Sequence, residues 1–182
     1  MALKSWKKVS SEVFHTNPFW TYKIDKYSLH DGKEASYYYC FTYGSVFIVP
    51  VTDIGKIIMV KQYRYLNDRF SIEFPGGSVK KDEQPSLSAH KELIEETGFE
   101  GDFEEIGIYN PCNGLTNEIC HVFIARNLKP SMKYKKDEME DFELLEYTFN
   151  EIEEMITANK IYDGMTLAAW SLVRSRISGK VV

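Results

Sequence analysis

Three carboxylates, Glu92, Glu95 and Glu96, stand at i, i+3 and i+4 in a segment with helical spacing, which puts them on one helical face. Like charges that close repel each other, and a cation between them removes the cost. Oxygen-only donors suit hard ions such as Mg2+ or Mn2+, which keep waters and substrate phosphates in their remaining positions. Just upstream, Pro75-Gly76-Gly77 offers bare backbone. The Gly76 carbonyl can add an oxygen to the set, and Glu83 brings a further carboxylate from the intervening loop. Solvated Glu runs are common on helices, so charge alone does not make this a site.

These residues need a strand, a sharp glycine turn and a helix to hold them. Arg69–Phe74 reads as a short strand that stops at the Pro75-Gly76-Gly77 turn. The helix follows: Pro85 fits its first turn and Gly98 its C-terminal cap. Leu87, His90, Ile94 and Thr97 recur at helical spacing and are expected to face a sheet. Before these, Val9–Phe14, Trp20–Ser28 and Ser36–Phe41 are aromatic and β-branched runs that suit strands. Asn17-Pro18 and His30-Asp31-Gly32 lie between them as turns. The runs Ser45–Val51 and Lys56–Tyr63 flank Asp53-Ile54-Gly55 and read as a hairpin. Later strands are expected over Glu104–Tyr109, Ile119–Ala125 and Phe142–Tyr147. Asn150 is expected to cap a helix over 151–158. Asp163 or Thr166 is expected to start a last helix reaching Ile177, with Leu167, Trp170 and Val173 inward. Interleaved strands and helices predict an α/β fold with a mixed sheet covered by helices.

The 182 residues suit one medium domain, or one with a small appendage. A net charge of −5 argues against a general nucleic-acid binder. It permits an anionic small molecule, because a bound metal inverts the local charge. The three cysteines, Cys40, Cys112 and Cys120, are too few and too spread for a disulfide framework or a zinc site. Idle thiols point to a reducing cytoplasm. No segment reads as a leader or a membrane span.

The spacing is more specific than the charge. Gly77, five residues, Glu83, seven residues, Lys91-Glu92-Leu93, one residue, Glu95-Glu96, one residue and Gly98-Phe99 resemble the signature box of the Nudix hydrolase superfamily. Lys61-Gln62-Tyr63-Arg64-Tyr65 and Ile72-Glu73-Phe74-Pro75-Gly76-Gly77 resemble its ADP-ribose and nucleoside diphosphate sugar pyrophosphatase branch. The resemblance implies a Nudix-type α/β/α sandwich, with a small antiparallel β region at 1–43 and a catalytic domain at 44–182. It implies hydrolysis of the pyrophosphate bond of ADP-ribose or a related nucleoside diphosphate sugar, dependent on Mg2+ or Mn2+. Two rivals remain: another nucleoside diphosphate derivative, such as a dinucleoside polyphosphate or an RNA 5′ end, and a non-catalytic nucleotide-binding module.

Residue by residue, the resemblance makes Glu92, Glu96 and the Gly76 carbonyl metal ligands. Glu95 holds a further metal or the bound water. Lys91 stands where the superfamily has Arg, which orients a metal-binding Glu and pairs with a carboxylate of the preceding strand. The corresponding pair here is Lys91 with Glu73. Lysine keeps that charge but lacks the planar fork. Arg64 is expected at the substrate diphosphate, where a guanidinium fits phosphate oxygens. Glu118 is expected to meet the substrate from the end of a loop in which Asn113 replaces the branch's usual Pro. Glu140 or Glu138 is expected as the general base. Trp20 and Tyr37, with Phe19 as a substitute, are expected to stack the base in an exchanged homodimer. No nucleic-acid or membrane partner is expected.

Overall fold

The computed structural model describes residues 5–132 and 142–177. They fall into two compact units, one of 5–43 with 112–118 and one of 44–111 with 119–132 and 142–177.

The first unit is an antiparallel sheet, β1 (Lys7–Thr16), β2 (Thr21–Ser28) and β3 (Glu34–Phe41), in sequence order. β1 and β3 run longer than the expected Val9–Phe14 and Ser36–Phe41, because charged residues such as Lys7 and Glu34 continue the ladder opposite Ser28, while β2 starts one residue after Trp20. The first turn is tied by Asn17, whose Oδ1 accepts the Phe19 and Trp20 amides, each at 2.9 Å. In the second, Gly32 sits at φ +82°, a left-handed backbone that glycine adopts without strain. The segment 112–118 joins this unit. Cys40 bridges Thr116, and the Tyr37 hydroxyl donates to the Gly114 carbonyl at 3.0 Å. The Asn117 amide both accepts from the Thr42 N–H at 2.9 Å and donates to the Thr42 carbonyl at 3.0 Å.

The second unit holds two sheets. β4 (Ser45–Pro50), β7 (Gly76–Ser78), β8 (Phe99–Tyr109) and β9 (Cys120–Pro130) form one, ordered β7-β4-β9-β8. It is mixed, since β4 runs parallel to β9 and the other pairs are antiparallel. β5 (Ile57–Arg64), β6 (Arg69–Glu73) and β10 (Phe142–Tyr147) form the other, ordered β10-β5-β6. The expected hairpin over 45–63 is therefore only half present. The turn forms, with the Thr52 N–H on the Lys56 carbonyl at 2.8 Å. Beyond a single Val51–Ile57 bridge its strands part into different sheets, because β4 and β5 are both apolar on two faces and each needs its own cover.

Alternation along β4 serves two cores. Phe47 and Val49 face Met59, Phe74, Val122, Trp170 and Val173. Val46 and Ile48 face Val79, Ala89, Leu93 and Phe123. Helix α1 (Pro85–Thr97) lies on the second core, and α2 (Phe149–Thr157) and α3 (Gly164–Ile177) contribute to the first. The architecture is thus a mixed α/β fold with helices on both sides of the β layer, as expected.

Helix details differ from the periodicity. Gly98 does end α1 in the left-handed region at φ +75°. Its buried stripe, however, is Ser88, Ala89, Leu93 and Thr97. Leu87 and His90 are exposed, one position out of phase with the small residues that let the helix approach β4. α2 is capped by Thr148, not by Asn150. Thr148 and Glu151 form a reciprocal capping box, which satisfies two backbone donors where a lone Asn satisfies one. Asp163 starts α3, accepting the Thr166 N–H at 2.7 Å. β8 begins at Phe99 and not at Glu104, and bulges on either side of Asp102–Glu105 keep it paired with β9. Among the described residues, no helix is long and apolar enough to cross a membrane.

Candidate functional site

The site grows from the junction of β6, β7 and α1. β6 carries Glu73 into the core at 2% exposure, and Phe74 beside it is equally buried. The Pro75 carbonyl then accepts the Ile48 N–H at 2.8 Å, so the chain is pinned to β4 as it turns. Gly76 and Gly77 form the short strand β7 opposite Phe47 and Val46. The strand expected over Arg69–Phe74 stops short of this pairing. At Gly76 only glycine fits: a Cβ there would stand 2.3 Å from the Val46 carbonyl oxygen.

On the other side of β7 lies α1. A Cβ on Gly77 would meet the Glu92 carboxylate, with Oε1 at 2.2 Å. One helical turn on, Glu96 accepts the Gly76 N–H through Oε2 at 3.0 Å. Two half-buried carboxylates thus converge on bare backbone. Glu95, between them in sequence, is exposed. Among the described residues, no group of three or more His, Cys, Asp or Glu side chains forms a ready metal cage.

That donor set fits one class of ion. Mg2+ is held by one or two carboxylates while waters and substrate phosphates fill the other positions. The clearance that Gly77 leaves over Glu92 is a cradle that any side chain would fill. Glu92 and Glu96, with the Gly76 carbonyl of the backbone they converge on, could hold a divalent cation, and Glu95 is exposed to water.

The charges around the site are arranged differently from expectation. Lys91 does not reach Glu73. Its ammonium donates to Glu83 Oε1, and the Ser88 hydroxyl donates to Glu83 Oε2 at 2.7 Å. These bonds hold the Glu83 carboxyl below the usual carboxylate range, the Lys91 bond most, then Ser88. The reason is positional: Lys91 and Ser88 share the face of α1 nearest the 79–84 loop.

Glu73 is held instead from β5. Arg64 donates to Glu73 Oε1 through Nε at 2.8 Å and to Oε2 through Nη2. Gln62 adds a long contact at 3.4 Å. The bond to Glu73 raises the Arg64 pKa above its ordinary value against the opposing effect of burial. One side of the guanidinium is thus committed inside the protein, and the side chain as a whole stays 47% exposed. The sequence missed this pair. Strand parity was the available signal, since Gln62, Arg64 and Glu73 share one face once Val60 is set opposite Glu73.

Trp20, Tyr37, Phe19 and Glu118 belong to the first unit. Trp20 is 39% exposed, against His15 in an edge contact at 6.3 Å. Tyr37 is 38% exposed and tilted against Tyr39. Phe19 is the most open of the three at 82%. Glu118 closes the 112–118 segment, its N–H on the Thr116 hydroxyl at 3.1 Å. Glu138 and Glu140 lie outside the described residues.

Residues 42–166 match the NUDIX domain family. The ADP-ribose pyrophosphatase of Bacillus subtilis (strain 168) is 38% identical over 128 residues, 69% of this chain and 69% of its own. The methanol dehydrogenase activator of Bacillus methanolicus is 30% identical over 165 residues, 90% of this chain and 89% of its own. The crystal structure of an ADP compounds hydrolase superposes with a TM-score of 0.84 over 100% of this chain and 98% of that one. At 19% identity that likeness speaks to the fold.

Proposed function

The chain belongs to the Nudix family, and on that premise we propose that it hydrolyses the pyrophosphate bond of ADP-ribose or a related nucleoside diphosphate sugar. The products are a nucleoside monophosphate and a sugar phosphate. The observation that carries this reading is the convergence of Glu92 and Glu96 on the Gly76–Gly77 backbone, in a chain related to an ADP-ribose pyrophosphatase.

A divalent cation, when bound, supplies polarised phosphate oxygens and a more acidic water. We take it to be Mg2+, with Mn2+ as a substitute. The chain's own residues do the rest. Glu92 and Glu96 hold the cation side, and Glu95 orients the water. Glu140 or Glu138 takes the proton as the water oxygen bonds to one phosphorus and the bridging oxygen leaves with the other phosphate. A base on an acidic segment need come within reach only when substrate is bound. The open side of Arg64 faces the diphosphate. Trp20 or Tyr37 stacks the base, since every base presents a π-face, and Glu118 serves the sugar side. A homodimer completes the reading: all ten residues of the edge strand β1 are exposed, and a second copy would cover them. Unbridged Cys40, Cys112 and Cys120 fit a reducing, cytoplasmic setting.

A panel of nucleoside diphosphate sugars, dinucleoside polyphosphates and capped RNA, each with Mg2+ and with Mn2+, tests this reading. Turnover of ADP-ribose or another nucleotide sugar above the rest is expected. Tight binding without turnover of any of them would refute it in favour of a binding module. The likeness to a methanol dehydrogenase activator, over 90% of this chain and 89% of that one, favours a second reading, in which the chain acts on a dehydrogenase system. Dehydrogenase stimulation without nucleotide-sugar turnover would select that one.

A further inference from the structure

We infer that Arg64 is a positioning residue for the metal side of the site, acting through Glu73 and the turn that follows it. The inference rests on the proposed use of Glu92 and Glu96 as cation ligands. It assigns to Arg64 a task that the box position Lys91, turned toward Glu83, does not perform.

The geometry runs along the chain. Glu73 is a carboxylate at 2% exposure, and a buried charge is tolerated only with a partner that satisfies it. Arg64 is that partner, bonding both carboxylate oxygens from the neighbouring strand. The pair fixes the end of β6 two residues before Pro75, whose carbonyl holds Ile48. The next residue, Gly76, gives its N–H to Glu96. A shift of this backbone by a fraction of an ångström costs the Glu96 bond and moves the Gly76 carbonyl with it. Lysine in place of Arg64 keeps the charge but bonds one oxygen at a time.

The sign of the effect separates this role from simple phosphate binding. Removing a cation near two carboxylates should, by charge alone, tighten binding of a metal ion. Loss of a positioning group should weaken it. The test is Mn2+ affinity of the full, substrate-free chain, read from the electron paramagnetic signal of free Mn2+, with steady-state kinetics alongside. Arg64→Met is expected to weaken Mn2+ binding about 10-fold or more, in the range for residues that orient metal ligands. Arg64→Met combined with Glu73→Gln is expected to recover most of that Mn2+ affinity, because a neutral amide needs no cation. KM should stay high in the double variant, since Arg64 no longer meets the diphosphate. Unchanged or tighter Mn2+ binding in Arg64→Met, with only KM raised, would overturn the inference. Should Arg64→Met not fold, Arg64→Lys carries the same test, with wild-type Mn2+ affinity as the overturning result. The Mn2+ measurement needs no substrate, so a failed substrate panel and a failed positioning role are distinguishable.

Discussion

Gly77 lies directly beneath the Glu92 carboxylate: a Cβ there would stand 2.2 Å from Oε1 and 2.6 Å from Oε2. The obstacle is the far end of a flexible side chain, so Gly77→Ala is expected to fold. It should push Glu92 aside and weaken Mn2+ binding about 10-fold, an effect of the size seen when a ligand loses its orientation. Gly76→Ala is different. Its Cβ would meet the Val46 carbonyl at 2.3 Å, and backbone cannot swing away. That variant should lose about 1–3 kcal/mol, the typical cost of overpacking. Mn2+ titration and urea unfolding of both variants check the contrast. Equal Mn2+ affinity in Gly77→Ala and wild type would remove Glu92 from the site.

Glu96→Gln separates charge from shape. The amide oxygen can still accept the Gly76 N–H that Glu96 Oε2 now takes at 3.0 Å. The fold and melting temperature should therefore hold. Turnover of ADP-ribose should fall about 100-fold or more, since a neutral oxygen is a poor ligand for a hard cation. Wild-type rates at saturating Mg2+ would refute the assignment.

The box helix was legible because spacing alone defines it. Pro85 and Gly98 mark its ends through backbone chemistry that acts locally, and Glu92 and Glu96 follow at one turn. The charge pairing was not legible, because it depends on which strand lies beside which. Lys91 and Glu73 share the box neighbourhood in sequence, yet β5 brings Arg64 to Glu73. Nor did the apolar run at 45–63 disclose that its strands enter different sheets. Two-sided apolar strands carry no alternation to say which face meets which helix. Leu87 misled for a related reason: the tight approach of α1 to β4 selects small residues such as Ser88 and Ala89 for the interior.

The cap of α2 offers a stability test away from the site. Thr148 accepts the Glu151 N–H, and the Glu151 carboxylate accepts the Thr148 N–H at 2.7 Å. Thr148→Ala should cost about 1 kcal/mol. Asn150→Ala lies inside the helix and should stay within about 0.5 kcal/mol of wild type. Denaturant unfolding of the two variants decides between the caps, and a larger loss from Asn150→Ala would contradict the structure.

The Lys91–Glu83 pair makes a prediction in pH. Glu83 is held below the usual carboxylate range, first by the Lys91 ammonium and then by the Ser88 hydroxyl. A carboxylate with a lowered folded pKa adds stability above its unfolded pKa, about 4.3 for Glu. That stability is lost as pH falls through the folded value. Lys91→Met should therefore melt below wild type at neutral pH, and the gap should close as pH falls from about 5 through the lowered folded value of Glu83, beneath which it is protonated folded and unfolded alike. Lys91→Arg should keep the gap small throughout, because the cation is retained. Salt should shrink the neutral-pH gap, since Lys91 is 45% exposed and its charge is screened. Melting temperatures across that pH series, at low and high ionic strength, check it. A gap that stays constant down to acid pH would mean that the Lys91 stem, packed along α1, stabilises the helix and that the ion pair does not.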